Sequence, residues 1–102
     1  MKLGSVFDAL GDDTRRAILR LLADGERSAG DIADHFHLSK ATLSHHFRVL
    51  RAANLVRSER RGTSIVYTLQ SNVIEDAARV LFDLVPGLAL PVRSSKKGRV
   101  SS

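Results

Sequence analysis

The sequence predicts a mainly α-helical domain with one small β-hairpin, in the element order α-α-α-α-β-β-α, over residues 1–90. Apolar residues recur every three or four positions as far as Leu50, which is the period of helices. Between Val56 and Leu69 apolar and polar residues alternate instead, as they do in half-buried strands. The 102 residues are 43% hydrophobic and 26% charged. We therefore expect one globular domain rather than a disordered or membrane-spanning chain.

The first two helices are expected to meet at a turn near Gly11. The first helix has apolar residues at the spacing i, i+3, i+4 and i+7, beginning at Leu3, and is therefore amphipathic. Asp12 is the predicted N-cap of the second helix, because its carboxylate can accept a hydrogen bond from a free backbone N–H of the first turn. The second helix is expected to bury Ile18 and its neighbours and to end near Gly25.

The third and fourth helices are expected to follow each other closely. Ser28 begins the third helix, and Ser39 is the predicted N-cap of the fourth;. Leu43, Phe47 and Leu50 form the inward stripe of the fourth helix. A short turn between two helices, the second beginning at a serine cap, predicts a helix-turn-helix.

A β-hairpin is predicted after the fourth helix, with strands at residues 56–60 and 64–69 and a turn at 61–63;. Three arginines surround its tip, and a guanidinium is always charged and forked, so it suits a phosphate backbone or a minor groove. A helix-turn-helix followed directly by a basic hairpin is a winged helix-turn-helix. The combination is more specific than either part alone.

Positive charge is concentrated in two parts of the chain, whose net charge is +5. Residues 39–63 carry six basic side chains and one acidic side chain. Residues 91–102, which we expect to form a flexible basic tail, carry four basic side chains and no acidic one;. A confined positive block suggests a polyanionic partner. The alternative is an ordinary solvated face.

Double-stranded DNA is the partner that this pattern favours. A helix that lies in the major groove needs small residues for close approach and a few donors and acceptors to contact base edges. The candidate DNA-binding residues are Ser39, Lys40, Thr42, Ser44, His45 and Arg48 of the fourth helix and Arg57, Arg60, Arg61 and Thr63 of the hairpin. Of these, Thr42, Ser44, His45 and Arg48 are expected to contact bases. Two alternatives are a protein-interaction module and a double-stranded RNA binder, the latter disfavoured because a helix does not fit the narrow A-form groove.

The fifth helix predicts a homodimer. It is expected to begin at a cap pair of Asn72 and Glu75 and to extend through Val85, and its apolar residues cover more than one face. A helix at the edge of a small domain buries one stripe against its own core, so the surplus suggests a second chain. The alternative is a helix folded entirely onto its own domain. The predicted dimerisation residues, from the first and last helices, are Val6, Phe7, Leu10, Ala77, Ala78, Leu81, Phe82 and Val85.

Metal binding and catalysis are disfavoured by the residue types and their spacing. The chain has no cysteine and four histidines, and neither the pair at 35 and 37 nor the pair at 45 and 46 has the i, i+4 spacing that lets two imidazoles bind one ion. His46 is expected to pack or hydrogen-bond beside the turn. No nucleophile elbow or glycine-rich phosphate loop is present;. We therefore expect no cofactor, no metal site and no enzymatic activity.

Four segments carry a family resemblance that covers roughly residues 5–85. The segments FDALGD (7–12), TRRAIL (14–19), LSKATLSHHFRVL (38–50) and ANLV (53–56) together resemble the ArsR (ArsR/SmtB) family of dimeric winged-helix transcriptional repressors. The Ser-His-His run and the hairpin resemble its SdpR-like autorepressor subgroup. Many relatives have proline where Asp13 stands, and both residues suit a first helical position.

The resemblance implies a dimer formed by the first and fifth helices. A two-fold dimer matches an inverted-repeat operator, and the repressed promoter is expected to include its own. The composition and the lack of a signal-peptide pattern make a cytoplasmic protein the expectation;. Metal-responsive relatives carry paired cysteines, or Asp/His sets on the last helix. This chain has no cysteine, and its fifth helix has no histidine, so thiolate metal sensing is not expected. The residues assign no inducer and no partner protein.

Overall fold

The computed structural model describes residues 1–88, so the predicted domain boundary at 90 and the predicted tail, 91–102, lie outside the described residues. Five helices and three strands follow in order: α1 (Leu3–Leu10), α2 (Asp13–Leu22), β1 (Arg27–Ser28), α3 (Ala29–Ala33), α4 (Lys40–Ala52), β2 (Val56–Arg61), β3 (Ser64–Leu69) and α5 (Ser71–Leu84). The predicted winged helix-turn-helix is confirmed, with one additional short strand.

Local capping explains where three of the helices begin. The Asp12 carboxylate accepts a hydrogen bond from the backbone N–H of Arg15 at 3.0 Å. Ser28 and Ser39 play the same part for α3 and α4, accepting at 3.0 and 3.1 Å from backbone N–H groups three residues on. These bonds satisfy N–H groups that have no partner inside the helix. The three predicted caps are confirmed.

The predicted cap pair of α5, Asn72 and Glu75, is wrong. The N-cap is Gln70, and its side chain makes no capping hydrogen bond. Gln70 is instead held against the end of α4: its backbone N–H donates to the Leu55 carbonyl at 2.9 Å and its Nε2 donates to the Asn54 carbonyl at 3.0 Å. Because Gln70 is fixed there, the chain turns directly from β3 into α5, one residue before Asn72.

The end of α4 directs the chain into the hairpin. Asn54 has a positive φ of 61°, which asparagine tolerates better than most residues. The N–H of Leu55 donates to the Leu50 carbonyl and that of Asn54 to the Arg51 carbonyl, each at 3.0 Å. This is the Schellman pattern that ends many helices. The predicted inward residues Leu43, Phe47 and Leu50 are buried.

The three strands form an antiparallel sheet in the order β1-β3-β2. β2 pairs with β3 from Val56 opposite Leu69 to Arg61 opposite Ser64. The turn is shorter than predicted: it contains only Gly62 and Thr63, and Gly62 has a φ of 64°, a conformation common in two-residue hairpin turns and easy for glycine. The predicted strand therefore extends by one residue, to Arg61. The short β1 was not predicted.

The core lies between the helices and one face of the sheet. Its largest fully buried side chains are Ile18, Ile32, Leu50, Leu55, Val6 and Val56. The Phe47 ring on α4 stacks on the Tyr67 ring on β3, with centroids 4.5 Å apart and planes tilted by 24°. This contact fixes the hairpin relative to the fourth helix, and both elements carry the candidate DNA-binding residues.

Candidate nucleic-acid interface

The outer face of α4 presents the polar residues that the sequence predicts for base contact. Thr42, Ser44, His45 and Arg48 are all exposed, and so are Ser39 and Lys40 at the helix start. Ala41, on the same side, is also exposed, and its small side chain leaves room for a close neighbour. A helix with this composition can lie in a major groove.

Contacts of Arg15 hold α4 against the first two helices. The Arg15 guanidinium donates to the carbonyls of Ala9 and Asp8, at 2.8 and 3.0 Å, and to Nδ1 of His46 on α4 at 3.2 Å. His46 Nδ1 also lies 3.8 Å from the Asp12 carboxylate. His46 is buried, as its predicted place beside the turn implies, whereas its neighbour His45 is exposed. The two rings point in different directions, with planes 51° apart.

Asp12 carries charge at the same junction. The backbone N–H of Arg15 lowers the pKa of the Asp12 carboxyl, and the Arg15 guanidinium acts in the same direction while burial opposes them. An ionised carboxylate at the first turn of a helix is also favoured by the helix dipole. Asp12 therefore both caps α2 and lies beside the Arg15 guanidinium and the His46 ring of α4.

The wing, defined as β2, β3 and their turn, presents its arginines on two different faces. Side chains alternate along a strand, so Arg60 shares a face with Ser58 and, across the hairpin, with Ile65 and Tyr67. Arg57 and Arg61 lie on the opposite face together with Glu59. All three arginines and Thr63 at the turn are exposed. The sequence prediction treated the three arginines as one group, and the strand pairing divides them.

Arg61 is held by two carboxylates. Its guanidinium donates to Glu26, 35 residues earlier in the chain, and to Glu59 at 3.0 Å. The hydrogen bond from Arg61 lowers the pKa of the Glu26 carboxyl, and the two carboxylates raise the pKa of Arg61. Within residues 1–88, Arg57 and Arg60 form no ion pair. Arg61 is therefore a compensated charge, in contrast to Arg57 and Arg60.

A cleft separates α4 from the wing. It has a volume of about 290 Å³ and is lined by Ser44, Phe47, Arg48, Arg51 and Tyr67. Arg48 follows Ser44 by four residues and precedes Arg51 by three, so the three side chains lie on one side of the helix. The sequence prediction missed Arg51 and Tyr67. Arg51 follows Arg48 at helical spacing and was a detectable signal, whereas Tyr67 comes to α4 only through the fold.

A second surface, formed by the end of α5 and the residues that follow it and called here the apolar surface of α5, is apolar. Leu81, Leu84, Val85 and Leu88 are exposed to 47%, 70%, 53% and 53%. Of the predicted dimerisation residues, Leu81 and Val85 are on this surface, and Phe7, Leu10, Ala78 and Phe82 are half-buried. Val6 and Ala77 are buried in the core of the single chain, so they lie behind the surface rather than on it. Leu84 and Leu88 were not among the predicted residues.

Two classes of feature are lacking in the part of the chain that the structure describes. Across residues 1–88, no three histidine, aspartate or glutamate side chains are grouped so that they could hold a metal ion. The longest helix there, α5, has 14 residues, and no helix in that range combines the length and apolarity needed to cross a bilayer.

Comparison with known proteins gives consistent matches. The family model described as "Bacterial regulatory protein, arsR family" matches residues 12–58. The transcriptional repressor SdpR of Bacillus subtilis is 40% identical over 83 residues, covering 81% of this chain and 92% of that protein. The solved structure of an ArsR-like transcriptional regulator from Rhodococcus sp. RHA1 superposes with a TM-score of 0.72 at 34% identity, covering 80% of this chain and 77% of that one. An ArsR-family regulator of 23% identity shares the fold, with a TM-score of 0.78 over 82% of this chain and 92% of that one.

Proposed function

This chain belongs to the ArsR family of bacterial regulatory proteins and is a DNA-binding transcriptional repressor, and we propose that it represses as a homodimer bound to an inverted-repeat operator, its own promoter included. The relatives are regulators and not enzymes, in agreement with the expected absence of catalysis. The observation that carries the proposal is the exposed polar face of α4 beside an arginine-bearing wing.

The interface residues divide by the chemistry of their side chains. Thr42, Ser44, His45 and Arg48 are proposed to contact base edges, because their donors and acceptors stand on the outer face of α4;. Phosphate contacts are proposed for the remaining candidates, which lie at the start of α4 and on the wing: Ser39, Lys40, Arg57, Arg60, Arg61 and Thr63. Phosphate contacts fix the orientation of a protein on the duplex without selecting sequence.

The apolar surface of α5 supports the homodimer. Four large apolar side chains that are about half or more exposed, together with half-buried Phe82, form a patch of the kind that marks an interface;. A dimer with two-fold symmetry matches an operator with two-fold symmetry, and its two α4 helices would contact half-sites about 34 Å apart. Binding of such a dimer across a promoter would exclude the polymerase.

The off-switch is proposed to involve no thiolate-bound metal. The 102 residues contain no cysteine, and thiolates are the ligands by which soft metals are usually held. Addition of zinc, cadmium or arsenite to the protein–DNA complex is expected to leave its affinity unchanged. A loss of affinity that a chelator reverses would contradict this part of the proposal.

The experiment that tests the proposal is fluorescence anisotropy with the DNA upstream of the chain's own gene, beside a random duplex of equal length. Both are titrated at two salt concentrations, because phosphate contacts make affinity fall with salt. Saturable binding to the upstream fragment alone, at one dimer per site, supports autorepression. Equal affinity for the upstream fragment and the random duplex would contradict autorepression but not DNA binding. No binding at low salt would favour a winged helix used for protein interaction.

A further inference from the structure

We propose that the cleft between α4 and the wing is a binding site for one backbone phosphate of DNA, held by the guanidinium of Arg51 and the hydroxyl of Tyr67. Neither residue is among the interface residues assigned above. The inference rests on the proposed DNA-binding face and adds the group that the cleft accommodates. It also assigns the last turn of α4 a positioning role that is independent of base contact.

The first supporting observation is an unpartnered hydroxyl on a buried side chain that lines the cleft. Tyr67 is 6% exposed, yet within residues 1–88 its hydroxyl makes no hydrogen bond. Buried polar groups are nearly always hydrogen-bonded, because an unmet donor costs free energy. Burial raises the pKa of Tyr67, so the hydroxyl carries its proton at neutral pH and can donate it to an anionic oxygen;.

The second observation is uncompensated positive charge in the same cleft. Arg51 and Arg48 line it, and no carboxylate within residues 1–88 forms an ion pair with either. The Arg51 charge is close enough to Tyr67 to oppose the effect of burial on the pKa of the phenol. A guanidinium and a neutral hydroxyl that converge on one space are suited to a phosphate oxygen. The two unpaired guanidinium groups therefore favour an anionic ligand over a cation in this cleft;.

The position of the cleft identifies the anion as part of DNA. It lies between the helix proposed for the major groove and the wing, and Arg60 lies on the same face of the wing as Tyr67. Ser44 and Arg48, which are proposed to contact bases, also line it. A phosphate between the two elements would therefore continue the same contact surface. Its recognition is independent of sequence, so both operator and random DNA should use the cleft.

Two variants test the site, and each has a different expected signature. Arg51→Gln removes one charge, so it should weaken binding to both duplexes about tenfold and reduce the salt slope by about one. Tyr67→Phe removes only a hydroxyl, so it should weaken both about threefold with an unchanged salt slope. Arg20→Gln is the matched control: it makes the same charge change at an exposed position on α2 and should have little effect. Tyr67→Phe should unfold at the wild-type temperature or above it, because the hydroxyl has no hydrogen-bond partner to lose and its unmet donor costs free energy.

Single phosphates of the duplex can then be replaced by neutral methylphosphonate. For the wild-type chain, replacement of a contacted phosphate weakens binding. At the phosphate held in the cleft, the same replacement should cost Arg51→Gln and Tyr67→Phe little further affinity. A replacement that costs the variants as much as the wild type at every position would overturn the proposal, because the contacts would then be independent.

The single tyrosine provides a direct reporter. The chain has one tyrosine and no tryptophan, so fluorotyrosine labelling gives one fluorine resonance, and it belongs to the cleft. DNA should shift this resonance, whereas inorganic phosphate at equal ionic strength should not. A shift with inorganic phosphate but none with DNA would assign the cleft to a free anion and overturn the proposal. Unchanged DNA affinity in both variants would overturn the phosphate site but leave the proposed DNA-binding function intact. Failure of the wild type to bind any duplex would overturn both proposals.

Discussion

Nη1 of Arg15 lies 3.2 Å from Nδ1 of His46, and this hydrogen bond joins the first turn of α2 to the middle of α4. Arginine has no acceptor, so Nδ1 of His46 must be unprotonated to take part. The same guanidinium donates to the Ala9 and Asp8 carbonyls at the end of α1, where a helix leaves carbonyls free, and the Asp8 carbonyl also accepts from the backbone N–H of Gly11. One side chain thus closes the first helix and orients the helix proposed to contact DNA.

Arg15→Ala is expected to lower the free energy of unfolding by about 2–3 kcal/mol, because three hydrogen bonds at a partly buried site are lost. Arg15→Lys should recover less than half of this loss, since an ammonium cannot reproduce the planar fork. Urea unfolding measures both, with Arg20→Ala, at an exposed position on the same helix, as the control. An Arg15→Lys variant as stable as the wild type would contradict the role given to the fork.

Asp12 should make the free energy of unfolding decrease at acidic pH. Its pKa is lowered in the folded chain, so the stability it contributes is complete above the unfolded pKa of about 4 and is lost as pH falls through the folded pKa. Asp12→Ala should cost about 1 kcal/mol at neutral pH through loss of the cap. Asp12→Asn keeps a capping oxygen, so it should cost little at neutral pH and show a weaker loss of stability on acidification. Urea titrations at neutral and acidic pH provide the comparison, and identical pH profiles for wild type and Asp12→Asn would refute it.

The features that the sequence revealed are those governed by local chemistry. Asp12, Ser28 and Ser39 cap helices through bonds three residues away, and that spacing is visible in the sequence. β1 escaped prediction because two residues have no pattern of their own and become a strand only by pairing with Tyr67 and Val66. Such a pairing depends on the tertiary fold.

The site was predicted less completely than the fold, for the same reason. The exposed face of α4 follows from helical spacing, but the pairing of Arg61 with Glu26 joins positions 35 residues apart. Tyr67 contributes to the cleft because β3 packs against α4. Val6 has the apolar spacing of an interface residue, and only the packed chain shows that its own core buries it.

Arg48 and Arg60 should affect DNA binding in different ways. Arg48→Ala is expected to reduce discrimination between operator and random duplex by roughly 1–3 kcal/mol, because a bidentate arginine–base contact is lost. Arg60→Ala should weaken binding to both duplexes alike, because a phosphate contact carries no sequence information. Anisotropy titrations of each variant with the two duplexes decide the matter. A preferential loss of operator binding in Arg60→Ala would overturn this division.

Arg61 should contribute less than Arg60, because its charge is already compensated. Arg61→Ala is therefore expected to lose less DNA affinity than Arg60→Ala. Glu26→Gln removes the negative charge of the carboxylate that is more distant from Arg61 in sequence. It should increase DNA affinity about twofold to fivefold and steepen the salt dependence by about one phosphate contact. Asp24→Asn makes the same charge change at an exposed position nearby and forms no ion pair within residues 1–88. If both variants raise affinity equally, net charge and not release of Arg61 is the cause.

The apolar surface of α5 should separate dimerisation from folding. Leu84 is 70% exposed in the single chain, so Leu84→Asp should leave the protomer folded. In a symmetric dimer each substitution counts twice, and every buried leucine contributes about 1.5–3 kcal/mol. Leu84→Asp should therefore convert the chain from dimer to monomer at micromolar concentration, as measured by sedimentation, with unchanged helical circular dichroism.

A matched control lies on the opposite side of the same helix. Asn72 is exposed and precedes Leu81 by nine residues, which places it about 180° from Leu81 around the helix. Asn72→Asp introduces the same carboxylate there and should remain dimeric. Because the operator is proposed to have two half-sites, the monomeric Leu84→Asp should lose far more affinity for the operator than for random DNA. A wild-type chain that sediments as a monomer at these concentrations, and binds the operator as one, would exclude the two-fold arrangement, because a single α4 would then account for all of the specific contacts.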